Sequence, residues 1–310
     1  MTPDKYTIAE KTLDVGDGHT IYSQLWGNPD AEQTILFLHG GPGSGCKNGH
    51  KDMFDGTKQR VLFHDQRGSG NSTPAGSLTA NTTDHLIADI VKVADAHAQK
   101  SFVVTGGSWG STLALVLAIR QPELVDALVL RGIFTGRKEE IDYLDKGGIK
   151  TFFPDVWDHY VASVPKEHQE NPGGYHGPRI LGDNPVAAKE SAFAYDALES
   201  GVAALDDRTP TPEFETYDKN GITVEYSYLA NNCYLDEGYI IENADKIKCP
   251  LYLVQGRYDA VCPPFTAYDL HKAVPDSQLH WTVAGHSGGD RANWQATKLL
   301  LQTLTTLVAD

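Results

Sequence analysis

Gly106-Gly107-Ser108-Trp109-Gly110 lies between two apolar runs, Phe102 to Thr105 before it and Ser111 to Ile119 after it. The first run has the length of a buried strand, and the second that of a helix apolar on most sides. A strand that passes into a helix over so few residues turns sharply, and side chains flanking the turn would clash. Glycine at 106 and 110 answers that demand. The same turn holds the Ser108 hydroxyl clear of the sheet, at the start of a helix whose free N–H groups favour negative charge. A lone G-x-S-x-G arises often by chance. The strand–turn–helix setting marks Ser108 as a nucleophile rather than a solvated serine in a glycine-rich turn. Ser111, the nearest other hydroxyl, faces the first helical turn as a capping or packing residue.

The rest of the chain sets this turn in a βαβ rhythm. Thr12 to Val15 and Thr20 to Trp26 flank Gly16-Asp17-Gly18 and predict a hairpin. Thr34 to Leu38, Val61 to His64 and Ala127 to Leu130 predict further strands, and Asp84 to Ala98 carries helical spacing. The pattern implies a mostly parallel sheet with helices on both faces. It stops near Arg137, where the chain becomes irregular, with breakers at Asn171-Pro172-Gly173-Gly174 and Thr209-Pro210-Thr211-Pro212 and helical patches such as Ala187 to Ser200. It resumes with a strand at Leu251 to Val254, a helix near Ala267 to Val274, a strand at Gln278 to Val283 and a helix from Arg291 to about Leu307. The expected organisation is an α/β core of residues 1–136 and 246–310 with an inserted helical cap, 137–245.

A serine hydroxyl needs a base. In this kind of fold the chain order is serine, acid, histidine. His286 follows the last apolar strand, whereas His271 sits in a helix and His280 inside a strand, less free to reach Ser108. Asp259, in Gln255-Gly256-Arg257-Tyr258-Asp259, follows the resumed strand and would orient the imidazole. The amides of Trp109 and of Gly41, in His39-Gly40-Gly41-Pro42-Gly43, are the expected oxyanion donors. No Gly-Lys-Ser/Thr follows that loop and no G-x-G-x-x-G fingerprint is met, so it is not a phosphate cradle. Asp65-Gln66-Arg67-Gly68-Ser69-Gly70 is expected to hold the active-site loops through an acid–base pair of Asp65 and Arg67. Metal chemistry finds no His-Glu-x-x-His, and no cofactor is called for.

A formal net charge of −15 argues against nucleic-acid binding. The 4 cysteines form no CxxC pair and suit a reducing compartment. Residues 1–10 lack the apolar core of a signal peptide, and no apolar run reaches membrane-spanning length. The cytoplasm is the expected location. The sequon at Asn81 is then without a role.

The runs His39 to Gly43, Asp65 to Gly70 with Ser72-Thr73-Pro74, Gly106 to Leu113, Leu130-Arg131-Gly132-Ile133-Phe134, Gly256 to Asp259 and Gly285-His286-Ser287 together resemble the proline iminopeptidases, serine enzymes of the α/β-hydrolase fold. The resemblance implies release of an N-terminal proline from a small peptide with a free N-terminus. It implies acidic cap residues around the amine and an apolar slot walled by Phe134. Where the family has a cap Trp-Glu pair, Tyr195-Asp196 stands. Where it has a second glutamate and an aromatic, this chain has Asn231 and Leu235. Those exchanges leave open a related esterase or amidase with no need of a free amine, and, from another class, a non-catalytic binding protein. Epoxide hydrolases and haloalkane dehalogenases need an aspartate at the elbow, where this chain has Ser108.

Overall fold

The computed structural model describes residues 4–205 and 213–306. The breaker at Thr209 to Pro212, residues 1–3 and the predicted helix end at Leu307 lie outside the described residues. The hairpin forms from β1 (Thr7–Gly16) and β2 (His19–Gly27). β3 (Thr34–Leu38), β4 (Arg60–His64), β5 (Phe102–Ser108), β6 (Val125–Ile133), β7 (Leu251–Gly256) and β8 (Gln278–Thr282) complete one sheet. Its order is β1-β2-β4-β3-β5-β6-β7-β8, antiparallel from β1 to β4 by way of β2 and parallel from β4 onward.

The parallel strands β3 to β7 are largely apolar because both faces are covered, whereas the edge strand β8 is only half-buried. Neighbouring residues point opposite ways. Leu36, Leu62, Val104 and Leu128 pack with α1 (Thr83–Ala96) and α2 (Trp109–Arg120). Ile35, Val61, Val103 and Val129 pack on the other face, where the last helix supplies Leu301. Helix α2 is buried from Trp109 to Ile119, which accounts for its lack of a polar stripe.

Between β6 and β7 the described chain is helical: α3 (Lys138–Asp145), α4 (Pro154–Ala162), α5 (Pro172–Ile180), α6 (Pro185–Ala203), α7 (Asn220–Ala230) and α8 (Tyr239–Glu242). The predicted breaker at Asn171 to Gly174 is instead the start of α5. Asn171 Oδ1 accepts from the Gly174 amide at 3.0 Å and Pro172 occupies the first turn. Asparagine followed by proline starts helices as readily as it ends them. The insertion has a core of its own, with Leu144, Tyr160, Tyr195 and Leu198, yet Val224, Tyr228 and Ile240 belong to the main core. Two helices follow, α9 (Pro264–Ala273) and α10 (Arg291–Thr306).

Asp65 and Arg67 do not pair with each other. Arg67 is held by Asp89 on α1, Nε to Oδ2 at 2.7 Å and Nη2 to Oδ1 at 3.0 Å. Asp65 accepts the amides of Cys46 at 2.6 Å and Asn71 at 2.8 Å. A carboxylate that takes two backbone N–H groups serves as a loop staple, and the guanidinium finds the planar partner it needs on a helix.

Candidate active site

The loops after β3, β5, β6, β7 and β8 converge at the carboxyl ends of the parallel strands, where ligands bind in open α/β sheets. Ser108 ends β5 with φ 57° and ψ −130°. A non-glycine residue held there costs about 1–3 kcal/mol, which the surroundings must offset. A Cβ on Gly106 would lie 2.6 Å from the Gly110 carbonyl oxygen, and one on Gly110 would strike the Leu38 carbonyl. The two glycines therefore permit the turn.

Asp259 and His286 meet as expected, Oδ2 to Nδ1 at 2.9 Å. Asp259 Oδ1 also accepts the amides of Val261 at 3.0 Å and Cys262 at 2.7 Å, and Oδ2 accepts Gln255 Nε2 at 3.1 Å. An ionised carboxylate only accepts, so His286 Nδ1 donates and Nε2 is left as a proton acceptor. The loop bearing His286 is clamped. Asn293 Nδ2 donates to the carbonyls of Gly285 at 3.0 Å and Ser287 at 2.9 Å, and Arg131 donates to the carbonyl of His286 itself. The Ser287 amide reaches across to the carbonyl of Ala203, the last residue of α6, at 2.7 Å.

Space beneath the imidazole comes from Gly132, at φ 53°. A Cβ there would sit 3.0 Å from both Nδ1 and Cε1 of His286. Gly132→Ala is expected to displace the ring and lower kcat about tenfold to a hundredfold while leaving KM within about twofold. Steady-state kinetics on any turned-over substrate checks it, and an unchanged kcat would contradict the geometry.

Gly41 and Trp109 are also brought to Ser108. The Trp109 amide opens α2 and has no acceptor within its helix. Its indole Nε1 donates to Gln66 Oε1 at 2.9 Å. Gln66 also donates to His39, through Nε2 to the carbonyl at 2.9 Å and through its amide to Nε2 at 3.0 Å. Gln66 thus ties the loop after β3 to the elbow.

Among the described residues, Ser108 borders two spaces of note. One is a cleft of about 540 Å³ that includes Gly41, Asp196, Glu199, Glu225 and His286. The other is a narrow slot with walls of Phe134, Ile141, Leu144, Tyr195, Leu229 and Val261. Glu140, Glu199 and Glu225 give the slot its charge. Glu140 is already engaged, by the Thr135 amide at 2.8 Å and Arg137 Nε at 2.6 Å. Glu199 and Glu225 are not so bound to the backbone. Burial raises both their pKa values, and for Glu225 the nearby Glu199, Asp196 and Asp145 raise it further. Burial also pushes up the Cys262 thiol, which faces the slot as a neutral group.

Phe134 is thus in the slot wall and Asp196 in the cleft wall, where Ser200 Oγ donates to it at 3.1 Å. Asn231 and Leu235 line neither space. Asn231 is exposed at the end of α7 and its amide donates to the Ser227 carbonyl at 2.7 Å, while Leu235 packs at the edge of the main core. The carboxyl groups lie elsewhere on the same helices. Asp196, Glu199, Ser200 and Ala203 form one stripe of α6 on the cleft, and Ile222, Glu225 and Leu229 one stripe of α7. Both follow i, i+3, i+7 spacing. The sequence reading named neither Glu199 nor Glu225; helical spacing counted from Asp196 reaches Glu199, and no such count leads to Glu225.

The family described as alpha/beta hydrolase fold matches residues 33–288. A proline iminopeptidase of Xylella fastidiosa is 38% identical over 303 residues, covering 96% of this chain and 96% of its own. One of Arabidopsis thaliana is 37% identical over 288 residues, covering 90% of this chain and 75% of its own. Among solved structures, a proline iminopeptidase of Mycobacterium smegmatis superposes with a TM-score of 0.59 at 18% identity, covering 96% of this chain and 97% of that one, a likeness of fold.

Proposed function

The chain belongs to the proline iminopeptidases of the α/β-hydrolase family, and from that premise we propose how its own residues release an N-terminal proline. The substrate amine enters the slot and meets Glu199 and Glu225, because a desolvated ammonium needs a carboxylate partner. The ring packs against Phe134, Leu144 and Val261. Ser108 Oγ attacks the prolyl carbonyl while His286 Nε2 takes its proton. Asp259 holds the imidazole in the required tautomer and stabilises the imidazolium. The amides of Gly41 and Trp109 stabilise the oxyanion, each worth about a hundredfold or more in rate. The proton passes from His286 to the departing amine. Water then enters by the same base and frees proline from the ester on Ser108.

One observation carries this reading: the apolar slot beside Ser108 is edged by buried Glu225 and half-buried Glu199, carboxyl groups paired with each other and not held by backbone amides. The esterase reading drew on Asn231 replacing a carboxylate, and that ground falls away with Asn231 outside the slot. The test is a pair of substrates, prolyl p-nitroanilide and its N-acetyl derivative. Acetylation removes the charge and is expected to lower kcat/KM at least about a hundredfold. Equal rates would overturn amine recognition.

Residues 137–245 act here as the lid that carries the amine site, and residues 1–136 and 246–310 as the catalytic body. The four cysteines are unpaired, which supports a reducing, cytoplasmic setting. Among the described residues no helix is long and apolar enough to cross a membrane.

A further inference from the structure

The charges of the large cleft are sorted by sign. The insertion contributes Asp196, Glu199 and Glu225, whereas the body contributes Lys47, His50 and Arg131. None of these three basic residues lines the ring slot. With the proline ring and its amine in the slot, the rest of the peptide has the cleft to run through, and Lys47, His50 and Arg131 share its lining with Ser108. We propose that Lys47, with His50 and Arg131, receives the free C-terminal carboxylate of a short peptide, so that the enzyme selects di- and tripeptides. This rests on the aminopeptidase reading above and names its substrate class.

Three observations support the wall as a carboxylate receiver. First, it brings together the two cations Lys47 and Arg131 in the lining of the cleft, on a chain of net charge −15. Burial holds the His50 pKa down to about 4, with His39, Lys47 and Arg131 adding to it and Asp65 opposing. Second, among the described residues no carboxylate lies within ion-pairing distance of Lys47 or Arg131. The nearby acids are committed elsewhere: Asp259, whose charge bears on Arg131, to His286 and the amides of Val261 and Cys262, Asp65 to the amides of Cys46 and Asn71, and Asp290 to those of Gly285 and Leu205. Third, neutral His50 accepts the Lys47 amide at Nδ1, 3.1 Å away, which leaves Nε2–H as a donor. An extended chain advances about 3.5 Å per residue, so a di- or tripeptide ends roughly 7–11 Å from its amine. The cleft, about 540 Å³, is of the size of small-ligand sites.

The test compares kcat/KM for Pro-Ala and Pro-Ala-Ala with the same peptides amidated at the C-terminus. The free acids are expected to be preferred about tenfold, the scale of a charge-assisted contact. Lys47→Met should cut that preference by about threefold, since Lys47 is exposed and screened by solvent. Lys47→Glu should abolish or invert it. The acid-to-amide ratio is read within each variant, so a loss of folded protein cancels. Raising salt to about 0.5 M should shrink the wild-type ratio. Equal cleavage of acid and amide by the wild type, or a ratio untouched by Lys47→Glu, overturns the inference and leaves the aminopeptidase standing. A preference for Pro-Glu-amide over Pro-Gln-amide, without one for acid over amide, overturns it in favour of an acidic side chain. Cleavage of no proline peptide at all overturns both readings.

Discussion

Ser108→Ala is expected to lower kcat on prolyl p-nitroanilide by about a millionfold, the scale seen when a nucleophile that works as a unit with its base is removed. The protein should keep its fold, because the alanine Cβ occupies the place of the serine Cβ and the turn depends on Gly106 and Gly110. KM should change little, since the slot and its carboxyl groups are intact. Labelling by a serine-reactive fluorophosphonate should vanish. Residual turnover above about one part in a thousand would exceed what oxyanion donors and binding supply alone, and would remove Ser108 from the reaction.

Glu225→Gln is expected to lower kcat/KM for the same substrate about a hundredfold or more, mainly through KM, because a buried ammonium loses a charged partner. The cyclopentanecarbonyl anilide, which keeps the ring shape and has no amine, should lose almost nothing. Stability should move the other way. A carboxyl group with a raised folded-state pKa binds its proton more tightly folded than unfolded, so its ionisation costs stability as pH rises above the unfolded value. Glu225→Gln removes that cost, so its Tm should exceed that of the wild type at pH 8 and match it near pH 4. A fall in both activity and Tm at pH 8 would show a folding defect instead. The acidic limb of the wild-type KM profile should also fade in this variant, since protonated Glu225 cannot pair with an amine.

The core was legible because its rules are local. Periodicity and turn chemistry placed β3, β5 and α2 to within a few residues, and the order Ser108, Asp259, His286 follows from which loops end at one sheet edge. The insertion was harder. Asn171 to Gly174 carries signals shared by helix starts and helix ends, and only the Gly174 amide bonded to Asn171 decides between them. Arg67 could pair with any nearby acid, and its true partner, Asp89, lies on the next helix. Glu199 and Glu225 come together only through the crossing of α6 and α7 over the sheet, a tertiary fact invisible to either segment alone.

The bond from the Ser287 amide to the Ala203 carbonyl joins the histidine loop to α6, one helical turn past Glu199. Adding or deleting a single residue in that turn would swing the stripe by about 100°. Either Glu199 would leave the slot or Ala203 would leave its anchor. A foreign lid grafted onto this body must therefore match α6 in phase as well as in shape, or the loop that carries His286 loses its anchor when the lid is exchanged.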